Sequence, residues 1–87
     1  MAENIYFKPR TTPKEREECF QWFEQRMERL PKELSLKALD IQDLPRFVSR
    51  SITSLRGHMP NSAIFEGQFA LLRLVQERLR QDPDFQE

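Results

Sequence analysis

Asp43-Leu44-Pro45-Arg46-Phe47-Val48-Ser49-Arg50-Ser51-Ile52-Thr53-Ser54-Leu55-Arg56-Gly57 reads as one capped helix, and the rest of the chain reads as packing for it. Asp43 is a good N-cap, and Pro45 falls in the first turn, where a missing N–H costs nothing. At 100° per residue, Leu44, Phe47, Val48, Ser51, Ile52 and Leu55 share one face. Arg46, Ser49, Arg50, Thr53 and Arg56 share the opposite one, and no acid lies between Leu44 and Phe65. Arg56 complements the helix dipole in the last turn. Gly57 suits the C′ position, where a left-handed conformation is wanted.

Upstream, residues 31–42 alternate at Leu34, Leu36 and Ala38, then repeat the step out of phase at Leu39 and Ile41. That pattern suits extended backbone. No second strand is evident to pair with it, so the segment reads as a semi-extended connector with its leucines tucked into the core. Before it, Thr12-Pro13-Lys14-Glu15 is a capping box with proline at the first helical position. The helix it opens puts Phe20, Phe23, Met27 and Leu30 on one face, with Cys19 at the edge, and Pro31 ends it. Trp22 falls off that face, among Glu15, Glu18, Gln25, Arg26 and Arg29. An indole there needs a cover, either Tyr6 and Phe7 of the N-terminal arm or a partner surface. The arm itself, residues 1–11, carries the apolar patch Ile5-Tyr6-Phe7. It either packs back onto the domain or adds to a partner.

Downstream, the loop Gly57-His58-Met59-Pro60 leads to a third helix capped by Asn61 or Ser62. Ile64, Phe65, Phe69, Leu71, Leu72, Val75 and Leu79 make its broad apolar face, and Pro83 bounds it. Gly67, Ala70 and Leu74 form a narrow stripe on the far side. Glycine inside a helix costs ~1 kcal/mol against alanine. A close backbone approach, from helix 1 or from a second copy, would account for it. The expected fold is therefore all-α: three helices near 12–30, 43–56 and 62–81, an arm over 1–11, one domain over 12–82 and a tail over 83–87. Phe85 either frays with that tail or folds back.

Composition limits the function classes. The 87 residues carry 14 basic and 14 acidic side chains, so no global field steers the chain toward nucleic acid or an anionic membrane. A single cysteine gives neither an intrachain disulfide nor a metal cluster and fits a reducing, cytoplasmic setting. The N-terminal residues hold no apolar core of signal-peptide length. The longest apolar run, Phe69-Ala70-Leu71-Leu72, is far short of the ~20 residues a membrane span needs.

Convergent catalytic groups are scarce. His58 is the only histidine and sits in a loop without a nucleophile to activate. Cys19 lies beside Glu15 and Glu18, which raise a thiol pKa rather than lower it. Two glycines, neither in a Gly-rich loop, offer no phosphate cradle. The expectation is a non-enzyme without metal or cofactor. The leading function is a small protein–protein interaction module, binding a partner or itself through Trp22, the Gly67-Ala70-Leu74 stripe or the arginine face. The alternative is a weak nucleic-acid-binding accessory protein using Arg46, Arg50 and Arg56, with Ser49 and Thr53 beside them. Three arginines neutralise only about three phosphates, which gives weak binding at physiological salt.

Leu30-Pro31-Lys32-Glu33-Leu34-Ser35-Leu36, then Ile41-Gln42-Asp43-Leu44-Pro45-Arg46-Phe47-Val48, then Leu55, Phe65-Glu66 and Leu72 resemble a family of small uncharacterised domains in Bacteroidota genomes. The resemblance covers about residues 20–80 and rests on caps and core positions. It implies a bacterial cytoplasmic protein of a given fold, and no mechanism.

Overall fold

A computed structural model describes residues 11–59 and 62–85. The order is helix α1 (Pro13–Gln25), strands β1 (Glu33–Leu36) and β2 (Leu39–Gln42), helix α2 (Leu44–Gly57) and helix α3 (Ala63–Arg80). Short 3₁₀ turns follow α1 at Met27–Arg29 and α3 at Pro83–Phe85.

The all-α expectation is corrected by the hairpin. β1 and β2 pair antiparallel, with Glu33 opposite Gln42, Leu34 opposite Ile41, Ser35 opposite Asp40 and Leu36 opposite Leu39. The segment supplies its own partner strand, and its out-of-phase step is the reversal at Lys37-Ala38. A two-residue hairpin turn is usually announced by Asn-Gly or Asp-Gly, because the favoured types need positive φ. Neither Lys37 nor Ala38 has it; among the described residues only Asp43 does. One backbone bond beyond the ladder, Leu44 N–H donating to Lys32 O at 2.8 Å, ties the hairpin's base to the start of α2. Leu34 and Ile41, directly opposed, turn one face of the hairpin into the core.

The helix starts form as their caps dictate. Thr12 and Glu15 make both bonds of the capping box, Thr12 N–H to Glu15 Oε1 at 2.8 Å and Glu15 N–H to Thr12 Oγ1 at 3.1 Å. Asp43 caps α2 from a left-handed conformation, φ 57° and ψ 59°, its carboxylate accepting the Arg46 N–H at 3.4 Å. An aspartate tolerates that region better than most side chains. Ser62 caps α3 through the Phe65 N–H. Gly57, by contrast, stays right-handed as the last residue of α2, and the chain leaves through His58 at φ −104°. The left-handed C′ reading is thus corrected: extended backbone at His58 makes the exit.

The core joins Phe20 and Phe23 of α1, Leu34 and Ile41 of the hairpin, Leu44, Val48, Ile52 and Leu55 of α2, and Phe65, Phe69, Leu72, Val75 and Leu79 of α3. Phe20 meets Phe69 edge-on at 5.8 Å, which locks α1 against α3. Helix α1 is shorter than its pattern suggested, so Met27 and Leu30 reach the core from the 3₁₀ turn and its exit; Leu30 is buried and Met27 half-buried. Ile64 departs from its expected face and is 57% exposed. No described helix is long and apolar enough to cross a membrane.

Candidate functional site

The expected docking residues separate. Trp22 is half-buried and already covered. Its indole meets Phe23 edge-on at 5.0 Å and Phe85 at 5.9 Å, and the Arg26 guanidinium lies 4.5 Å over the ring. Tyr6 and Phe7, the expected cover, lie outside the described residues. Phe85 supplies cover from the other end of the described chain: the Pro83–Phe85 turn folds back, burying the ring under Arg29 at 5.2 Å. Among the described residues, these contacts make the indole part of the packing.

Gly67, Ala70 and Leu74 all stay exposed. A Cβ built on Gly67 would meet nothing within 4 Å, so α1 does not pack there and no neighbour among the described residues explains the glycine. Ala70 and Leu74 instead form one wall of an open groove of about 650 Å³ between α1 and α3. Phe65 and Phe69 form its floor, and Leu74 is 60% exposed at its lip. Arginines edge it: the Arg16 guanidinium lies 5.5 Å over Phe65 and that of Arg73 5.7 Å over Phe69, with Arg80 further along. Glu66 and Glu77 supply the acids of the rim. Arg16 is held by a 2.6 Å bond to Thr11 O. The sequence pattern marked Ala70 and Leu74 but missed Arg16, whose contact with Phe65 crosses two helices and leaves no spacing signal, and Arg73, whose four-residue spacing from Phe69 on α3 was there to be read.

Beneath the groove, the Cys19 thiol donates to Gln76 Oε1 at 3.6 Å. Burial pushes its pKa from 9.0 to about 11, with the Arg73 charge opposing. The direction matches the sequence reading, while the cause is burial rather than Glu15 and Glu18.

The arginine face of α2 divides. Arg56 turns to α1, donating Nη1 to Glu17 Oε1 and Nη2 to Glu17 Oε2, both at 3.1 Å, and Nη2 to Glu24 Oε2 at 3.2 Å. Its guanidinium also lies 5.0 Å from the Phe20 ring centroid. The hydrogen bonding to Glu17 raises its pKa, against the opposing effect of burial and with further help from the charges of Glu17 and Glu24. Arg56 is thus a clamp between α1 and α2. Ser49 and Thr53 face solvent. Arg46 and Arg50 take another course and line a second cleft, about 570 Å³, between α2 and α3.

His58 is exposed at the end of α2. Among the described residues no group of three or more His, Cys, Asp or Glu side chains is gathered to hold a metal ion. No protein-family model matches this chain, and no curated protein or solved structure matches it either. The Bacteroidota likeness therefore stays a resemblance of motifs.

Proposed function

We propose that the chain is a small non-catalytic interaction module whose α1–α3 groove receives an apolar, acid-flanked segment of a protein partner. The open groove beside Leu74, with its aromatic floor, is the observation that carries the reading. A leucine left mostly in water beside Phe65, Phe69 and Ala70 gains from burial at roughly 25 cal/mol per Å² of apolar surface. The rim adds direction. Arg16, Arg73 and Arg80 stand against Glu66 and Glu77, and guanidiniums pair with carboxylates in a bidentate geometry. Gly67, one turn before Ala70 and unapproached among the described residues, leaves room for a partner's backbone. A bacterial, cytoplasmic setting belongs to the same proposal; the motif resemblance and the lone buried thiol support it.

The nucleic-acid reading loses ground because Arg56 is committed to Glu17 and Glu24, leaving two arginines of that face for phosphates. The test uses two synthetic amphipathic peptides, alike in their leucines and phenylalanines, one carrying glutamates between them and one lysines. The glutamate peptide should move amide resonances around 65–77, and Leu74→Glu should abolish the effect. Light scattering should give a monomer for both forms of the protein. Equal binding of the two peptides, or no loss in Leu74→Glu, would sink the reading. A wild-type dimer broken by Leu74→Glu would replace the partner with a second copy.

A further inference from the structure

We infer that the cleft between α2 and α3 is a binding site for a small organic phosphate, a monoester whose apolar part rests against Phe47 and Leu71. The inference is independent of the α1–α3 groove. Its ground is a convergence of residue types along one strip of α2. Asp43, Arg46, Phe47, Arg50, Ser51 and Ser54 recur at three- and four-residue steps, and all of them line the cleft. Gln68 and Leu71 of α3, again three apart, make the facing wall.

The chemistry of that lining is selective. Arg46 and Arg50 have no ion pair or hydrogen-bonded side-chain partner among the described residues, whereas Arg56, on the same helix, has three such bonds. Two guanidiniums a turn apart offer forked donors to one phosphoryl group. Ser51 and Ser54 are half-buried hydroxyls, and the Gln68 amide brings further donors from the opposite side. The single acid, Asp43, sits at the end of the strip with its carboxylate turned to the Arg46 backbone N–H. The cleft's volume lies within the range of about 300–1,000 Å³ usual for small-molecule sites.

Size and charge favour a small ligand over a nucleic acid. A strand needs a row of cations to follow its backbone, and here the row stops at two, with Arg56 held by α1. The apolar walls of Phe47 and Leu71 also have no use for bare inorganic phosphate. They give an ester with a ring or short chain the advantage.

The probes are phenyl phosphate, inorganic phosphate, phenol and a short oligothymidylate, each titrated at low ionic strength into isotope-labelled protein and followed by amide shifts. Phenyl phosphate should saturate and move residues 46–54 and 68–71, about tenfold tighter than inorganic phosphate or phenol. The double variant Arg46→Gln, Arg50→Gln should lose about tenfold or more of that affinity. Lys14→Gln, Arg78→Gln should lose none. All four residues are exposed, so circular dichroism should show the variants folded. Unsaturable shifts, shifts that persist in the Arg46, Arg50 variant, or equal affinity for phenol would overturn the site. Tighter binding of the oligothymidylate than of phenyl phosphate would overturn the small ligand in favour of a nucleic-acid face.

Discussion

Phe23 has no exposed surface, and its ring meets the Trp22 edge on one side and the core on the other. Replacing it by alanine removes a whole ring from a close-packed interior, and Phe23→Ala should cost about 3–5 kcal/mol in urea denaturation. Cys19 makes a sharper statement because it links packing to pH. Its folded pKa, about 11, stands above its ordinary 9.0, so the buried thiol stays protonated while an unfolded chain ionises. Stability from this source is complete below pH 9 and declines as pH rises toward 11, by about 2–3 kcal/mol over the interval. Cys19→Ala should flatten that part of the stability–pH curve, and the native thiol should react slowly with Ellman's reagent at pH 8. Arg56 acts in the open, where solvent screens its bonds to Glu17 and Glu24. Arg56→Gln should therefore cost only about 1 kcal/mol, and less as salt rises.

At the level of elements, the two helices with the clearest caps were legible. Thr12 with Glu15, and Asp43 before Leu44-Pro45, state their helix starts in side-chain chemistry that any reader of the sequence can follow. The α2 face was legible for the same local reason: Leu44, Val48, Ile52 and Leu55 are all buried. The hairpin was not, because its turn residues, Lys37 and Ala38, carry none of the usual turn signals, and pairing is a relation between segments rather than a property of one. The two candidate clefts were half legible. A helix wheel finds Arg46 and Arg50, or Ala70 and Leu74, but the facing wall comes from tertiary packing. Gly67 shows the same limit. With open space around its Cβ position, Gly67→Ala should stabilise the isolated chain by about 1 kcal/mol. Thermal unfolding reads the gain, and the glutamate peptide should bind the variant more weakly if its backbone comes close there.

Across the whole molecule, sequence neighbours are mostly neighbours in space: hairpin, α2 and α3 follow one another with short connections. Helix α1 returns to α2 and α3 across longer stretches of chain, and the widest of these returns is that of Phe85 to Trp22, residues from opposite ends of the described chain. That contact closes a circuit through all the other elements. Phe85→Ala should cost about 3 kcal/mol and shift the emission of the single tryptophan to the red as its ring meets water. The same closure gives the folding reaction an order. Forming it restricts a long loop and brings reward only once the intervening helices are in place, whereas the hairpin and helices close on near neighbours. In a stopped-flow experiment, helical ellipticity should therefore rise before the indole signal does. The one tryptophan then serves as a clock for the last step of assembly.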